Sequence, residues 1–256
     1  MIGARSLLVT YLSFVVLIPI AALFSKSVSG GWSAFWSAIT QPEAVKALEL
    51  TLWCSAAAAA VNVVMGLATA WVLVRDRFVG QQFVNAIIDL PFALPTVVAG
   101  VTFMALYGPL SPVHVNIANS WVGITVAIMF VTLPFTVRAV QPVLESLGAD
   151  AESAAATLGA GRLRIFWSVT LPALVPAMLT GAGLAFARAI GEYGSVVFIS
   201  GNEPYHTEVA SSYIYSLNGS GQVFSAADVA VLLLMIALVV LGVFNAVSRR
   251  LARRRG

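Results

Sequence analysis

Charge is scarce in this chain of 256 residues: aspartate, glutamate, lysine and arginine together make up 10%, against 59% hydrophobic residues, and the mean hydropathy is +0.92. An ordinary soluble domain carries about 25% charged residues, so this composition cannot clothe a soluble globule in water. Cysteine is almost missing as well. Cys54 is the single one; it rules out an intrachain disulfide and, lying in an apolar block, reads as a small core residue. Lysine occurs only as Lys26 and Lys46. A nucleotide-binding P-loop needs Gly-x-x-x-x-Gly-Lys-Ser/Thr; Lys26 lacks the preceding glycine and Lys46 is followed by alanine, so the chain supplies no ATP cradle. His114 and His206 show neither zinc-site spacing nor an adjacent nucleophile and base, and each reads as a solvated loop residue. No catalytic or metal-ligating constellation is expected.

What is present is a set of long uncharged runs. A helix needs about 20 apolar residues to cross a hydrocarbon core of about 30 Å, and six runs qualify, at about 7–25, 50–74, 82–106, 120–138, 172–200 and 228–248. The third and fourth share one uncharged stretch, divided by the turn-forming Gly108, Pro109, Pro112 and Asn119. The reading is an all-α polytopic membrane protein with a single domain over 1–256. The first run exceeds the usual signal-peptide core of about 7–15 residues and is expected to be retained.

Orientation follows from the arginines, because basic loops stay cytoplasmic. With six spans, Arg5, Arg75, Arg77, Arg138, Arg162, Arg164, Arg249, Arg250, Arg253, Arg254 and Arg255 fall on the side of the termini, Lys26 and Lys46 on the other, and Arg188 within the fifth span. Both termini are therefore expected in the cytoplasm, with the tail RRLARRRG as a stop-transfer and anionic-lipid anchor rather than a nucleic-acid contact.

The longest cytoplasmic loop, about 139–171, is the least apolar part of the chain. Asp150 is placed to cap a short helix, Glu152 sits in its first turn, the run Ala151 to Leu158 is mostly alanine, and Gly159 and Gly161 end it. An alanine-faced helix admits close approach of another backbone. Docking element and surface helix lying on the membrane are equally compatible with the residues alone.

The stretch SAAATLGAGRLRIFWSVTLP at 153–172 resembles the EAA loop of ABC importer permeases, with Ala154, Ala155, Gly159, Val169, Leu171 and Pro172 at the family spacing. Ser153 stands where the family usually has glutamate, and Glu152 lies one place earlier. DLPFALPTVVAG at 89–100 and FARAIGEYGSVVFISGN at 186–202 are similar to the sulfate and molybdate branch, the second segment to the T subunits of sulfate and thiosulfate permeases. The resemblance implies a type I ABC importer permease fold in a prokaryotic plasma (inner) membrane. It also implies a coupling helix in which Glu152, Ser153, Ala154, Ala155, Gly159, Leu171 and Pro172 engage an ATPase. Its implied partners are a W-type permease forming a heterodimer, two copies of an ABC ATPase that use ATP and Mg, and an extracytoplasmic sulfate- or thiosulfate-binding protein. No cofactor is implied for this chain itself, and transport is implied to proceed by alternating access.

Within the membrane, a charge at a helix centre costs about 2.5–3.5 kcal/mol and normally faces a cavity or a partner. Arg188 and Glu192 are four apart and can neutralise each other on one helix face. They form either a structural ion pair or a pathway site in which the guanidinium attracts an oxyanion. Asp89 precedes Pro91 and Pro95, which should bend the third span beside Thr96 and Gly100; the carboxylate itself reads as a local cap. Arg188, Glu192, Ser195, Asp89, Pro91, Pro95 and Thr96 are the candidate pathway and gate residues, on the expectation that spans three and five line the passage. The outer loops are too short to hold a receptor domain. A molybdate or tungstate permease working as a homodimer is the rival within the class; a secondary transporter is the rival outside it, and no internal repeat supports that one.

Overall fold

Five helices are long and apolar enough to cross a membrane: Ser6–Val28, Pro42–Arg75, Trp121–Leu147, Arg162–Ile190 and Val223–Leu251. They were located in a computed structural model that describes residues 2–148 and 150–253. No strand occurs among the described residues. These helices correspond to the first, second, fourth, fifth and sixth expected spans. Most extend beyond their uncharged runs, because a terminal charge can leave the hydrocarbon while the backbone stays helical. The second span begins at Pro42, where the missing N–H costs nothing, and carries Glu43 in its first turn, favourable to the helix dipole. At 34 residues it is about 50 Å long and overshoots the hydrocarbon.

The third span departs from the single kinked helix expected over 82–106. It is three pieces, Gln81–Ile88, Leu90–Ala93 and Thr96–Tyr107. Pro91 and Pro95 each remove a donor, and Leu94, as the residue before a proline, is pushed to an extended backbone with ψ 130°. The chain breaks there rather than bending.

The fifth span is corrected at both ends. It starts at Arg162, passes a π-helical turn over Phe166–Thr170, and stops at Ile190 instead of near 200. Gly191 forms the C-cap, and residues 191–209 run through successive turns without a regular helix. The fourth span continues past the expected 138 to Leu147 despite Pro134 and Pro142, and the loop expected over 139–171 shrinks to residues 148–161. Short helices, Gly31–Ile39 and Ala210–Gly219, occupy the outer segments that were read as loops.

Small residues set the packing. Thr136 of the fourth span lies between glycines of two others: a Cβ on Gly66 would approach its Cβ at 2.8 Å, and one on Gly181 its Cα at 2.9 Å. Spans two, four and five thus meet where no side chain intervenes. Nearby, Asn62 Nδ2 donates to the Met129 carbonyl and to Thr132 Oγ1, both at 2.9 Å, so a buried amide is satisfied across the second and fourth spans. The sixth span lies against the fifth, where Ser248 Oγ donates to the Pro176 carbonyl at 2.7 Å and meets Thr180 Oγ1 at 3.0 Å. The first span is peripheral: an 18-residue stretch of it contains no buried residue, and its outer end is pinned by Ser27 Oγ donating to Asp228 Oδ1 at 2.6 Å.

Candidate functional site

Two polar constellations lie at opposite ends of the bundle. At the end that carries the basic loops, helix Asp150–Thr157 lies between the fourth and fifth spans in the chain. The Ala160 N–H donates to the Ala155 carbonyl at 3.1 Å and the Gly159 N–H to the Ala156 carbonyl at 2.9 Å, with Gly159 at φ +82°. This is a Schellman ending, which requires a residue tolerant of positive φ at that position. Ser153 and Ala154 are exposed, Ala155 is half-buried, and Leu158 is 88% exposed. Leu171 and Pro172 open the membrane-spanning part of the fifth span just after its π-helical turn. The Asp150 side chain, read as a cap, lies outside the described residues, as do Arg254, Arg255 and the side chain of Arg5.

Glu152 does not point away with the exposed face. Its Oε1 accepts from Arg75 Nη2 at 2.6 Å and from Thr170 Oγ1 at 2.9 Å, while the same Arg75 nitrogen donates to the Gly148 carbonyl at 3.1 Å. Arg75 also lies over the Trp71 ring, 5.7 Å from its centroid. Beside this contact a cleft of about 360 Å³ opens between the short helix and the start of the fifth span, lined by Trp71, Ser153, Ala156, Arg162 and Phe166 among others.

The second constellation gathers where the fifth span ends. Arg188 occupies the last turn of the helix, and Glu192 lies beyond its end, correcting the shared helix face that was expected. The ion pair nevertheless forms, Nη1 to Oε2 at 2.6 Å, with the Arg188 side chain 36% exposed and that of Glu192 1% exposed. The other carboxylate oxygen accepts the Ser195 N–H at 2.9 Å, and Ser211 Oγ donates to the Glu192 carbonyl at 2.7 Å. Ser195 Oγ is buried with no hydrogen-bond partner among the described residues. The C-terminal piece of the broken third span seals against this turn. A Cβ on Gly100 would lie 2.7 Å from the Gly194 carbonyl oxygen, and one on Gly194 would overlap Thr96 Oγ1. Thr96 is therefore brought to the Arg188 group.

Asp89 belongs to a different contact, while Pro91 lies in the Leu90–Ala93 piece and Pro95 precedes Thr96 at the start of the last piece. Asp89 is no local cap: its side chain makes no capping hydrogen bond. It accepts from Arg138 instead, Nε to Oδ1 at 2.8 Å and Nη2 to Oδ2 at 2.6 Å. Arg138 also donates to Asn85 Oδ1, the Asn85 carbonyl and Gln141 Oε1, at 2.8, 3.1 and 2.7 Å. All five guanidinium protons are thus engaged. Sequence reasoning counted Arg138 among loop charges and missed this pairing. Two polar residues at 85 and 89, one turn apart on an apolar segment, were the available signal that the third span needed a cationic partner. Near the opposite end, Glu208 is nearly buried. Burial foremost, then the Glu43 carboxylate, raises its carboxyl above the ordinary glutamate value.

The arrangement has clear relatives. Residues 62–254 match the model of the family described as binding-protein-dependent transport system inner membrane component. The sulfate transport system permease proteins CysT of Salmonella typhimurium and Escherichia coli are each 40% identical over 95% of this chain and 91% of their own length. That of Synechococcus elongatus is 43% identical over 96% and 91%. Among solved structures, a chain of a bacterial ABC transporter involved in import of the acidic polysaccharide alginate superposes with TM-score 0.78 at 18% identity, covering 97% of this chain and 94% of that one. A chain of the inward-facing MetNI methionine ABC transporter gives TM-score 0.63 at 18% identity, covering 81% and 95%. At such identities these two speak for the fold alone, which is that of type I ABC importer permeases with the third span broken. This chain belongs to the family of binding-protein-dependent transport system inner membrane components, with sulfate permeases of the T type among its relatives.

Proposed function

We propose that this chain is one of two membrane subunits of an ATP-driven importer of sulfate and thiosulfate, with both termini in the cytoplasm. The observation that carries the coupling part is helix 150–157, which leaves Ser153 and Ala154 exposed, ends in a fixed Schellman turn and holds Leu158 in the open. An exposed leucine beside an alanine surface suits a groove on a protein partner. In this reading Ser153, Ala154, Ala155 and Gly159 seat on an ABC ATPase that holds ATP and Mg, and Leu171 and Pro172 pass its movement to the fifth span. Two ATPase copies serve this chain and a W-type permease. The substrate part is supported by the relatives: permeases named for sulfate transport match nearly the whole chain.

The half-exposed Arg188, held by the buried Glu192 at the mouth of the fifth span, gives the passage one cationic face. Arginine suits a tetrahedral oxyanion, and the neighbouring carboxylate keeps the site too weak to retain it. Ser195 and Thr96 complete that turn, while Asp89, Pro91 and Pro95 shape the gate at and before the break in the third span. An extracytoplasmic binding protein delivers the anion, and closure of the ATPases alternates access. The test is labelled sulfate uptake in cells lacking their own sulfate permease, with this chain expressed beside its neighbouring subunits. Uptake that needs this chain and an intact ATPase, resists excess molybdate and is competed by thiosulfate is expected. Uptake of molybdate in place of sulfate would overturn the substrate, and transport with an inactive ATPase would overturn the coupling.

A further inference from the structure

We infer that Glu152 is not a contact to the ATPase but a positioning residue inside the chain, the joint through which the coupling helix is fastened to the second and fifth spans at once. The inference rests on the coupling role proposed above and assigns it a mechanical part. Among the described residues, Glu152 makes every side-chain hydrogen bond that leaves helix Asp150–Thr157; Thr157 bonds only within its own turn. One carboxylate oxygen gathers Arg75 from the inner end of the second span and Thr170 from the π-helical turn of the fifth. Arg75 in turn holds the Gly148 carbonyl, where the fourth span ends. Three spans and the short helix thus converge on one ion pair, whose partners are 21% and 23% exposed. Around it the short helix is separated from the fifth span by the cleft, so the joint carries the polar connection across a gap.

The pair also has a second arrangement within reach. Both bonds to Glu152 fall on Oε1, and Arg75 Nε–H is buried without a partner. A small rotation of the short helix that brought Oε2 to Nε would turn the single contact into a two-pronged one, the stronger geometry for arginine and carboxylate. In that movement Thr170 is released or follows. A push on the coupling helix is therefore converted at Glu152 into a relative shift of the second and fifth spans.

The test uses the complete transporter, this chain with its permease partner, ATPase and binding protein, reconstituted in lipid vesicles, and compares wild type with Glu152→Gln, Arg75→Gln and Arg75→Lys. Copurification of the ATPase with wild type is measured first; its absence would discard the coupling role itself, independently of the joint. Both glutamine variants are expected to retain the ATPase and its basal hydrolysis. Sulfate moved per ATP should fall roughly five- to tenfold, the lower part of the usual range for coupling between sites. Arg75→Lys, which keeps the charge but not the fork, should fall less. The swapped pair Arg75→Glu with Glu152→Arg should recover part of the ratio lost by Glu152→Gln. An unchanged ratio in Glu152→Gln, loss of the bound ATPase in that variant, or a swapped pair no better than Glu152→Gln would each overturn the joint.

Discussion

Thr136 shows how little tolerance some positions have. With Gly66 on one side and Gly181 on the other, an added methyl on Gly66 has to displace the threonine or part the helices, and such overpacking costs about 1–3 kcal/mol. Gly66→Ala should lower the unfolding temperature of the detergent-solubilised protein. Gly242→Ala, where a new Cβ meets nothing within 4 Å, should leave it unchanged or raise it. For the Arg188 pair, Arg188→Ala strands a buried carboxylate and should reduce assembly and uptake together; breaking a fully buried pair costs about 3–5 kcal/mol, and the exposure of Arg188 puts this case toward the lower end. Removing both charges should restore assembly, because no buried charge is then left without its partner. If uptake by the assembled double variant returns, the pair is structural; if uptake stays absent, the guanidinium serves the anion. Glu208 gives a pH signature. Its folded-state pKa lies above 4.5, so the native chain holds the proton more tightly than the unfolded one, and stability falls as pH rises from 4.5 through the raised value. Glu208→Gln should therefore melt at a higher temperature than wild type at pH 7, with the difference closing as pH approaches 4.5; melting curves across that range check it.

At the scale of elements, the spans were legible because each charge in hydrocarbon is costly enough to mark a boundary. The ion pair of Arg188 and Glu192 was legible for the same reason. What could not be read was where helical backbone stops inside an apolar run. The fifth run was expected to stay helical to about 200, yet Gly191 caps the helix and Gly194 lies beyond it, in the turn that meets Thr96. The break at Leu94 was read as a bend because proline spacing reports lost donors but not whether neighbouring helices support the gap. Asp89 was misassigned since its partner lies 49 residues away, on a span whose own run gave no hint of a contact. The short helix over 150–157, by contrast, was visible in alanine, glutamate and glycine, and its proposed coupling role carries a sharp prediction. Gly159 sits at φ +82° and donates a hydrogen bond, so proline can satisfy neither requirement. Gly159→Pro should abolish uptake while the protein still reaches the membrane, and Ala155→Trp should do the same by lifting the helix from its groove. Uptake and membrane abundance, measured together, decide the matter; normal uptake in Ala155→Trp would remove the docking role.

Seen as a whole molecule, the bundle packs backbone to backbone where spans two, four and five meet at Gly66, Thr136 and Gly181. The third span is divided between two attachments. Its inner part is bolted to the fourth span by all five protons of Arg138, and its outer part is seated on the turn after the fifth span through Gly100 and Gly194. Leu94 and Pro95 lie between the two attachments, so any relative motion of the two halves must be absorbed there.

The turns over residues 191–209 have a consequence for the life of the protein in the cell. Non-helical backbone that meets a bilayer is tolerated only where protein or trapped water covers it, and the start of this segment, at Gly191 and Glu192, adjoins a guanidinium that is 36% exposed in the isolated chain. In the heterodimer proposed above, a copy inserted without its companion subunit would present that surface to lipid acyl chains, the mark of an unassembled subunit to membrane quality control. Synthesis of the two permeases in step then becomes a condition for accumulation. Pulse-chase labelling should show this chain turning over several times faster when the companion is deleted, and equal half-lives would show that the exposed turn finds its cover within the single chain.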